Sequence, residues 1–158
     1  MRRITDRLGP APLGELGLSG ALHQLADAFD SPGLTVSTRL TPSPLPPLPA
    51  AVEVAVYRIA AEALTNVMKH AHAEHAELRV RVGTHVLTLT VVDDGIGCDP
   101  IQDHPHGVGL RSMTDRAAEI GGRRTINPVG DGTRVLAVLP RSPSVSDWRC
   151  AAGEYRAR

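Results

Sequence analysis

Apolar residues recur at helical spacing in three stretches of the chain. In residues 16–29 an apolar stripe predicts a first amphipathic helix, made of Leu16, Leu18, Leu22, Leu25 and Phe29. Residues 50–71 carry another apolar face, and they predict the longest helix. Residues 107–120 open with glycines, continue at helical spacing and end at a glycine pair, which is typical of a third helix and its stop.

Strict alternation of apolar and polar residues predicts five strands, over residues 34–40, 74–82, 86–92, 123–127 and 133–139. The second and third strands are joined by a short turn, and the last two form a hairpin across residues 128–132. Helices combined with such strands predict an α+β fold, a two-layer α/β sandwich whose mostly antiparallel sheet has helices on one face.

The remaining segments are polar or rich in proline. Residues 41–49 contain five prolines, which favours an extended surface connector over a polyproline partner motif because proline interrupts helices and ladders. Residues 98–105 are short and polar, and they predict a mobile lid. We expect residues 1–12 to be a lead-in, residues 13–140 the folded domain, and residues 141–158 a disordered tail.

Composition narrows the class of protein. A chain of 158 residues with 42% hydrophobic residues suits one domain with a full core. Lysine and arginine together number 17, and so do aspartate and glutamate, which argues against general affinity for nucleic acid or acidic membranes. No apolar stretch approaches the roughly 20 residues that cross a bilayer, and no signal-peptide core is present. We expect a soluble, cytoplasmic domain.

The cysteines and histidines do not indicate a disulfide framework or a metal site. Cys98 and Cys150 are too far apart in sequence for a metal knuckle or a disulfide framework. His70, His72 and His75 follow the second predicted helix. Solvated histidines at the negative end of a helix dipole are favoured there over a metal cluster.

The third strand leads into residues 93–97, which read DDGIG. The Asp93 carboxylate at the strand end can accept a hydrogen bond from an amino group. Gly95 and Gly97 allow a ligand to approach the main chain closely. Taken alone, Asp-Asp-Gly also fits an ordinary hairpin turn.

Three further segments accompany this one. Residues 62–71 read EALTNVMKHA, and helical spacing places Glu62, Asn66 and Lys69 on one face. Residues 106–113 read HGVGLRSM, and residues 130–135 read GDGTRV. In order along the chain, these segments resemble the N, G1, G2 and glycine–threonine boxes of the GHKL (Bergerat-fold) ATPase superfamily. The likeness is greatest to the catalytic ATP-binding domain of DesK/NarX-type sensor histidine kinases, and it covers about residues 8–140.

This resemblance implies ATP and Mg²⁺ as ligands and a role for each box. Asp93 would accept a hydrogen bond from the adenine amine, with Thr133 supporting the same edge and Gly95 and Gly97 leaving room for the base. Phosphate oxygens would meet backbone N–H groups at the start of the third helix, in Gly107, Val108, Gly109 and Leu110.

The helix that precedes the adenine site would supply the chemistry. Asn66 would bind the magnesium ion, Lys69 would offer its charge to the phosphates, and Glu62 would assist the attacking group. Arg111 could also meet phosphate, although a solvated arginine explains it equally well.

The resemblance further implies transfer of the ATP γ-phosphate to a histidine and then to a response regulator. None of the seven histidines is followed by Asp or Glu, as the family's acceptor histidine typically is. We therefore expect the acceptor on a dimerisation domain absent from this chain, and a monomeric isolated domain. Two alternatives stay open: a stand-alone serine kinase of the anti-sigma-factor type, and a nucleotide-binding regulatory module without useful turnover.

Overall fold

The structure is a computed structural model that describes residues 10–97 and 108–142. Its elements, in chain order, are α1 (Ala11–Phe29), β1 (Thr35–Thr41), α2 (Ala50–Asn66), a π-helical turn (Val67–Ala71), β2 (His75–Val82), β3 (Val86–Asp93), α3 (Val108–Glu119), β4 (Arg123–Val129) and β5 (Gly132–Pro140).

The strands form one five-stranded sheet in the order β1-β2-β3-β5-β4. β1 runs parallel to β2, and every other neighbouring pair is antiparallel. Val80, Leu89 and Ala137 are register partners across the centre, and all three are buried. The predicted α+β class with a mostly antiparallel sheet is confirmed.

The core lies between this sheet and the helices. α2 packs against both α1 and α3, and its inward face is fully buried along Val52, Val56, Ile59 and Ala63. Met113 and Ala117 of α3 are buried as well. Because alternate strand residues face the helices, the apolar residues of each strand and helix meet in one continuous cluster.

α3 ends at the predicted glycine pair. Gly121 has a φ of 79° and its N–H donates to the carbonyl of Ala118 at 2.9 Å, while the Gly122 N–H donates to the carbonyl of Ala117 at 2.7 Å. This pair of bonds is a Schellman motif, in which a left-handed residue satisfies the last helical carbonyls.

Two helices differ from the sequence prediction. α1 begins at Ala11 rather than at residue 16, and Gly17, with φ 67° and ψ 176°, interrupts its helical geometry. The predicted helix over 50–71 is regular only to Asn66, after which five residues form the π-helical turn. The apolar spacing of this stretch fits an α-helix throughout, so it carried no signal of the change.

The connector over 42–49 has no regular secondary structure, as expected. Its Leu45 and Leu48 pack against the core, and the Leu45 N–H donates to the Ser19 hydroxyl at 2.9 Å. The predicted lid over 98–105, most of the lead-in and of the tail, both cysteines and Gly107 lie outside the described residues. In the part that the structure describes, no helix is long and apolar enough to cross a membrane.

Candidate functional site

Asp93, the last residue of β3, is a buried carboxylate with 6% exposure. The Gly95 N–H donates to its Oδ1 at 2.9 Å, and the Thr133 N–H also donates to this carboxylate. Burial raises the pKa of Asp93, and the charge of Asp94 acts in the same direction, while the two backbone hydrogen bonds oppose the rise. Among the described residues, no ion pair includes Asp93. The site therefore holds an acceptor whose charge is only partly compensated.

Glycines allow three segments to meet at Asp93 through their backbones. A Cβ on Gly132 would lie 1.9 Å from the Asp93 carbonyl oxygen, and a Cβ on Gly95 would lie 2.1 Å from the Ala71 carbonyl oxygen. No real side chain fits at either distance. The start of β5, the end of β3 and the end of the π-helical turn are thus packed backbone against backbone.

A hydrogen bond joins the G1 box to the helical segment before it. The Ile96 N–H donates to the Ala71 carbonyl at 2.8 Å, and Ala71 is the last residue of the π-helical turn. π-Helical turns are rare and often occur at functional sites. In this chain the turn begins directly after Asn66 and ends at Ala71, where the G1 box is hydrogen-bonded. It therefore connects Asn66 of the N box to the segment that carries Asp93.

Asp94 makes a second connection, which the sequence prediction missed. Its Oδ1 accepts from the N–H groups of Glu74 at 2.9 Å and His75 at 2.8 Å, and its Oδ2 lies 2.9 Å from His75 Nδ1. Hydrogen bonds from the His75 backbone and side chain, and then from the Glu74 backbone, hold the pKa of Asp94 below its usual value. The only sequence signal was a second aspartate before the glycine.

Glu62 and Asn66 are half-buried and lie one turn apart on α2, as predicted. The Asn66 side chain makes no hydrogen bond that caps the following turn, so its amide oxygen is not used there. Lys69 is exposed and lies in the π-helical turn. Because each residue of a π-helix rotates the chain less than in an α-helix, a face shared by Lys69 and Asn66 stays a prediction.

The G2 box is described from Val108 onward. Val108, Gly109 and Leu110 form the first turn of α3, where backbone N–H groups have no partner within the helix. α3 packs against α2, so these N–H groups lie on a helix next to the one that carries Asn66. Gly107 lies outside the described residues, and its role stays a prediction.

Ile96 and Met68 are large apolar residues at the surface near this site, with exposures of 71% and 57%. Ile96 lies between the two glycines of the G1 box, and Met68 lies in the π-helical turn. The sequence prediction assigned neither a role, although an isoleucine between two glycines is a readable signal. Neither contributes to the core.

His70, in the π-helical turn, and His72 and His75, which follow it, form no metal cluster within residues 10–97 and 108–142. His70 and His72 are exposed, as expected for solvated side chains. His72 has a left-handed backbone with φ 49°. His75 is also exposed, but it pairs with Asp94 rather than being only solvated.

A family model described as histidine kinase-, DNA gyrase B-, and HSP90-like ATPase matches residues 51–143. The chain belongs to this ATPase family. All four boxes that were identified in the sequence fall within the matched residues. The predicted resemblance to the GHKL superfamily is thereby confirmed.

Curated relatives narrow the likeness to histidine kinases. The chain is 34% identical over 90% of its length to the sensor histidine kinase MctS of Rhizobium johnstonii, covering 32% of that protein. It is 32% identical over 89% of its length to the signal transduction histidine-protein kinase/phosphatase UhpB of Salmonella typhimurium, covering 28% of it. The chain thus spans about a third of the curated relatives it matches.

Solved structures agree on the fold. The histidine kinase domain of the blue-light activated histidine kinase from Erythrobacter litoralis EL346 gives a TM-score of 0.67 at 23% identity, over 86% of this chain and 67% of that one. The catalytic domain of the histidine kinase ThkA gives 0.64 at 11% identity, over 78% of this chain and 93% of that one. Their likeness therefore lies in architecture, beyond what the sequences alone would show.

Proposed function

We propose that this chain is the ATP-binding catalytic domain of a two-component sensor histidine kinase and that it works in the cytoplasm. The observation that carries the proposal is the buried Asp93 carboxylate. It lies in a glycine turn that is hydrogen-bonded to the helical segment bearing Asn66. The named relatives, which are sensor histidine kinases, favour this reading over an anti-sigma-type serine kinase.

Asp93 recognises adenine by accepting a hydrogen bond from the exocyclic amine. Two backbone N–H groups already donate to this carboxylate, and the rest of its acceptor capacity is available to a ligand. The Thr133 hydroxyl supports the same edge of the base. Gly95 and Gly97 let the main chain beside the base pack closely against the carbonyls of Ala71 and Asp131, and the Ile96 side chain offers an apolar surface to the ring.

The triphosphate extends from adenine toward α2 and α3. The N–H groups of Val108, Gly109 and Leu110, in the first turn of α3, suit phosphate oxygens, and the exposed Lys69 ammonium adds a positive charge. Gly107 gives the backbone room to approach. These donors neutralise charge on the phosphates without a Walker A loop.

The donor set of this site fits a magnesium ion held mainly by phosphates and water. Asn66 offers an amide oxygen that caps nothing, and the described residues contain no cluster that could form an all-protein metal cage. Asn66 would hold the ion, and the ion would supply positive charge to offset that of the phosphates.

Phosphoryl transfer then needs an acceptor from a second domain. A partner histidine attacks the γ-phosphorus, the bond to the β,γ-bridging oxygen breaks, and ADP leaves. Glu62, half-buried one turn before Asn66, takes the proton of the attacking imidazole. The phosphohistidine then passes its phosphoryl group to a response-regulator aspartate. The chain itself stays monomeric.

Incubation with γ-labelled ATP, Mg²⁺ and a dimerisation fragment of a sensor histidine kinase tests this proposal. We expect label on the fragment that is lost in acid, because phosphohistidine is acid-labile whereas phosphoserine is not. Acid-stable label would point to the serine kinase. ATP binding without any transfer would point to the regulatory module.

A further inference from the structure

Asp94 is one of the two residues of the G1 box, with Ile96, for which the family resemblance implied no role. Its side chain is 49% exposed, yet both of its oxygens are used, by two backbone N–H groups and one imidazole nitrogen. An exposed carboxylate that accepts three short hydrogen bonds is held in one position, since each bond restricts it in a different direction.

These bonds fix the G1 box to the chain that follows the π-helical turn. Glu74 and His75 lie where β2 begins, and the Asp94 N–H returns a bond to the His75 carbonyl at 3.2 Å. A few residues away, the Ile96 N–H donates to the Ala71 carbonyl. The G1 box is therefore attached at two points, at the start of β2 through the side chain and the N–H of Asp94, and at Ala71 through the N–H of Ile96.

The side-chain attachment also bears on the charge at the adenine site. The titratable groups around Asp94 are Asp93, Glu74 and His75, and the Asp94 charge disfavours ionisation of Asp93. The His75 ring lies against Asp94, with Nδ1 2.9 Å from Oδ2, whereas the Gly95 N–H donates to Asp93. Position and charge at Asp93 thus both depend on its neighbour.

We propose that Asp94 is a positioning residue that holds the G1 box against Glu74 and His75, so that the Asp93 carboxylate is set at the correct place to accept the adenine amine. This inference rests on the proposed function, because it assigns Asp94 to the same site. Asp94 itself does not touch the nucleotide.

Two substitutions of Asp94 separate the effect of its hydrogen bonds from the effect of its charge. Asp94→Ala removes every bond of the side chain. Asp94→Asn keeps an oxygen that can accept from the N–H groups of Glu74 and His75, and it removes the charge. His75→Ala deletes the imidazole but keeps its backbone N–H. Asp27→Ala, an exposed carboxylate on α1, is the matched control.

The measurement is calorimetric titration of the full chain with ADP, at a temperature where circular dichroism shows every variant folded. We expect Asp94→Ala to bind about tenfold more weakly, because lost hydrogen bonds to a charged group cost that order. Asp94→Asn should restore affinity to within about threefold of the parent chain, and His75→Ala should lie between them. Asp27→Ala should bind like the parent.

Amide hydrogen exchange without nucleotide gives a readout independent of function. Asp94→Ala should speed exchange at the Glu74, His75 and Ile96 amides, while Asp94→Asn should not. The inference is overturned if Asp94→Ala binds ADP like the parent, or if Asp94→Asn is as weak as Asp94→Ala. If the parent binds no ADP, the proposed function fails, whereas parent-like binding by Asp94→Ala together with loss of binding in Asp93→Asn removes only the role of Asp94.

Discussion

At Asp93, the negative charge that adenine recognition would use lowers the stability of the folded chain. Its carboxylate is buried beside another acid, and its pKa is raised in the folded chain. A raised folded pKa means that the folded state binds a proton more readily than the unfolded state. The free energy of unfolding therefore falls as pH rises from the unfolded value, about 3.9, through the raised folded value, and it stays lower above that.

Asp93→Asn should therefore raise the thermal midpoint of the nucleotide-free chain at pH 7, because the amide resembles the protonated acid and carries no charge. The gain should shrink as the pH falls through the raised folded value and vanish below about 4, the unfolded value, because there the parent carboxyl becomes protonated in both states. Thermal unfolding at a series of pH values checks this, with the exposed Asp27→Asn as the control. A lower thermal midpoint for Asp93→Asn than for the parent chain at pH 7 would contradict a raised pKa of Asp93.

Gly132 is a second residue whose environment decides its identity. Gly132→Ala should lower the free energy of unfolding by at least about 2 kcal/mol, because its Cβ would lie 1.9 Å from the Asp93 carbonyl oxygen and the backbone would have to move. Urea unfolding measures the change. The control is Gly33→Ala, which has nothing within 4 Å and should stay within about 0.5 kcal/mol. If both substitutions lowered the free energy of unfolding equally, the close contact between Gly132 and the Asp93 carbonyl would be contradicted.

Some of the site could be predicted at this scale and some could not. Asp93, Gly95 and Gly97 were predicted because a carboxylate followed by alternate glycines is a local pattern. Asp94 was missed because its partners, the N–H groups of Glu74 and His75, are 20 and 19 residues away. A side chain that binds distant backbone leaves no periodic signal.

At the scale of elements, α1 contains a matched pair of glycines. Gly17 has φ 67° and ψ 176°, a region open almost only to glycine, whereas Gly14 is helical and exposed, and neither has an atom within 4 Å of an added Cβ. Gly17→Ala should therefore destabilise the chain by about 1–3 kcal/mol. Gly14→Ala should stabilise it by about 0.5–1 kcal/mol.

Denaturant unfolding of the two variants and the parent tests the kink in α1. Since neither substitution meets a steric contact, the difference in sign isolates the backbone conformation. If Gly17→Ala were as stabilising as Gly14→Ala, α1 would be a continuous helix through residue 17.

The end of one helix could be predicted from the sequence, and the end of another could not. The stop of α3 was predicted because Gly121 and Gly122 form a sequence-local motif. The π-helical turn was not, because Val67 and Ala71 keep the apolar spacing of α2. Its last residue accepts a hydrogen bond from the Ile96 N–H, a contact that forms only in the folded chain.

At the scale of the whole molecule, the sheet order brings distant boxes together. β3 lies between β2 and β5, so Asp93 meets both Ala76, its register partner, and the start of β5. The next element in the chain after β3 is α3, and the two strands that pair with β3 are β2 and β5. Asp93-Asp94-Gly95 is therefore not the tight hairpin turn that the motif alone allowed. The layer class was predictable from periodicity and the superfamily from the ordered boxes, whereas the strand order comes from the structure.

The division of work between the boxes gives a prediction at this scale. Glu62→Ala and Asn66→Ala should retain some ATP binding but lower transfer to an added dimerisation fragment by about 100-fold or more, because they act at the phosphate end rather than at adenine. Initial rates with γ-labelled ATP measure the loss, and ADP titration checks binding. Unchanged transfer rates in both variants would refute their roles.

Calorimetric titration with ATP and ITP tests the central claim most directly, because ITP carries a carbonyl in place of the adenine amine and differs otherwise only in a proton on the adjacent ring nitrogen. Asp93 should make the parent chain bind ATP at least about tenfold more tightly than ITP, since the carboxylate accepts from the amine and repels the carbonyl that replaces it. In Asp93→Asn that preference should largely disappear. Equal affinity of the parent for both nucleotides, or an undiminished preference in Asp93→Asn, would contradict an adenine site at Asp93.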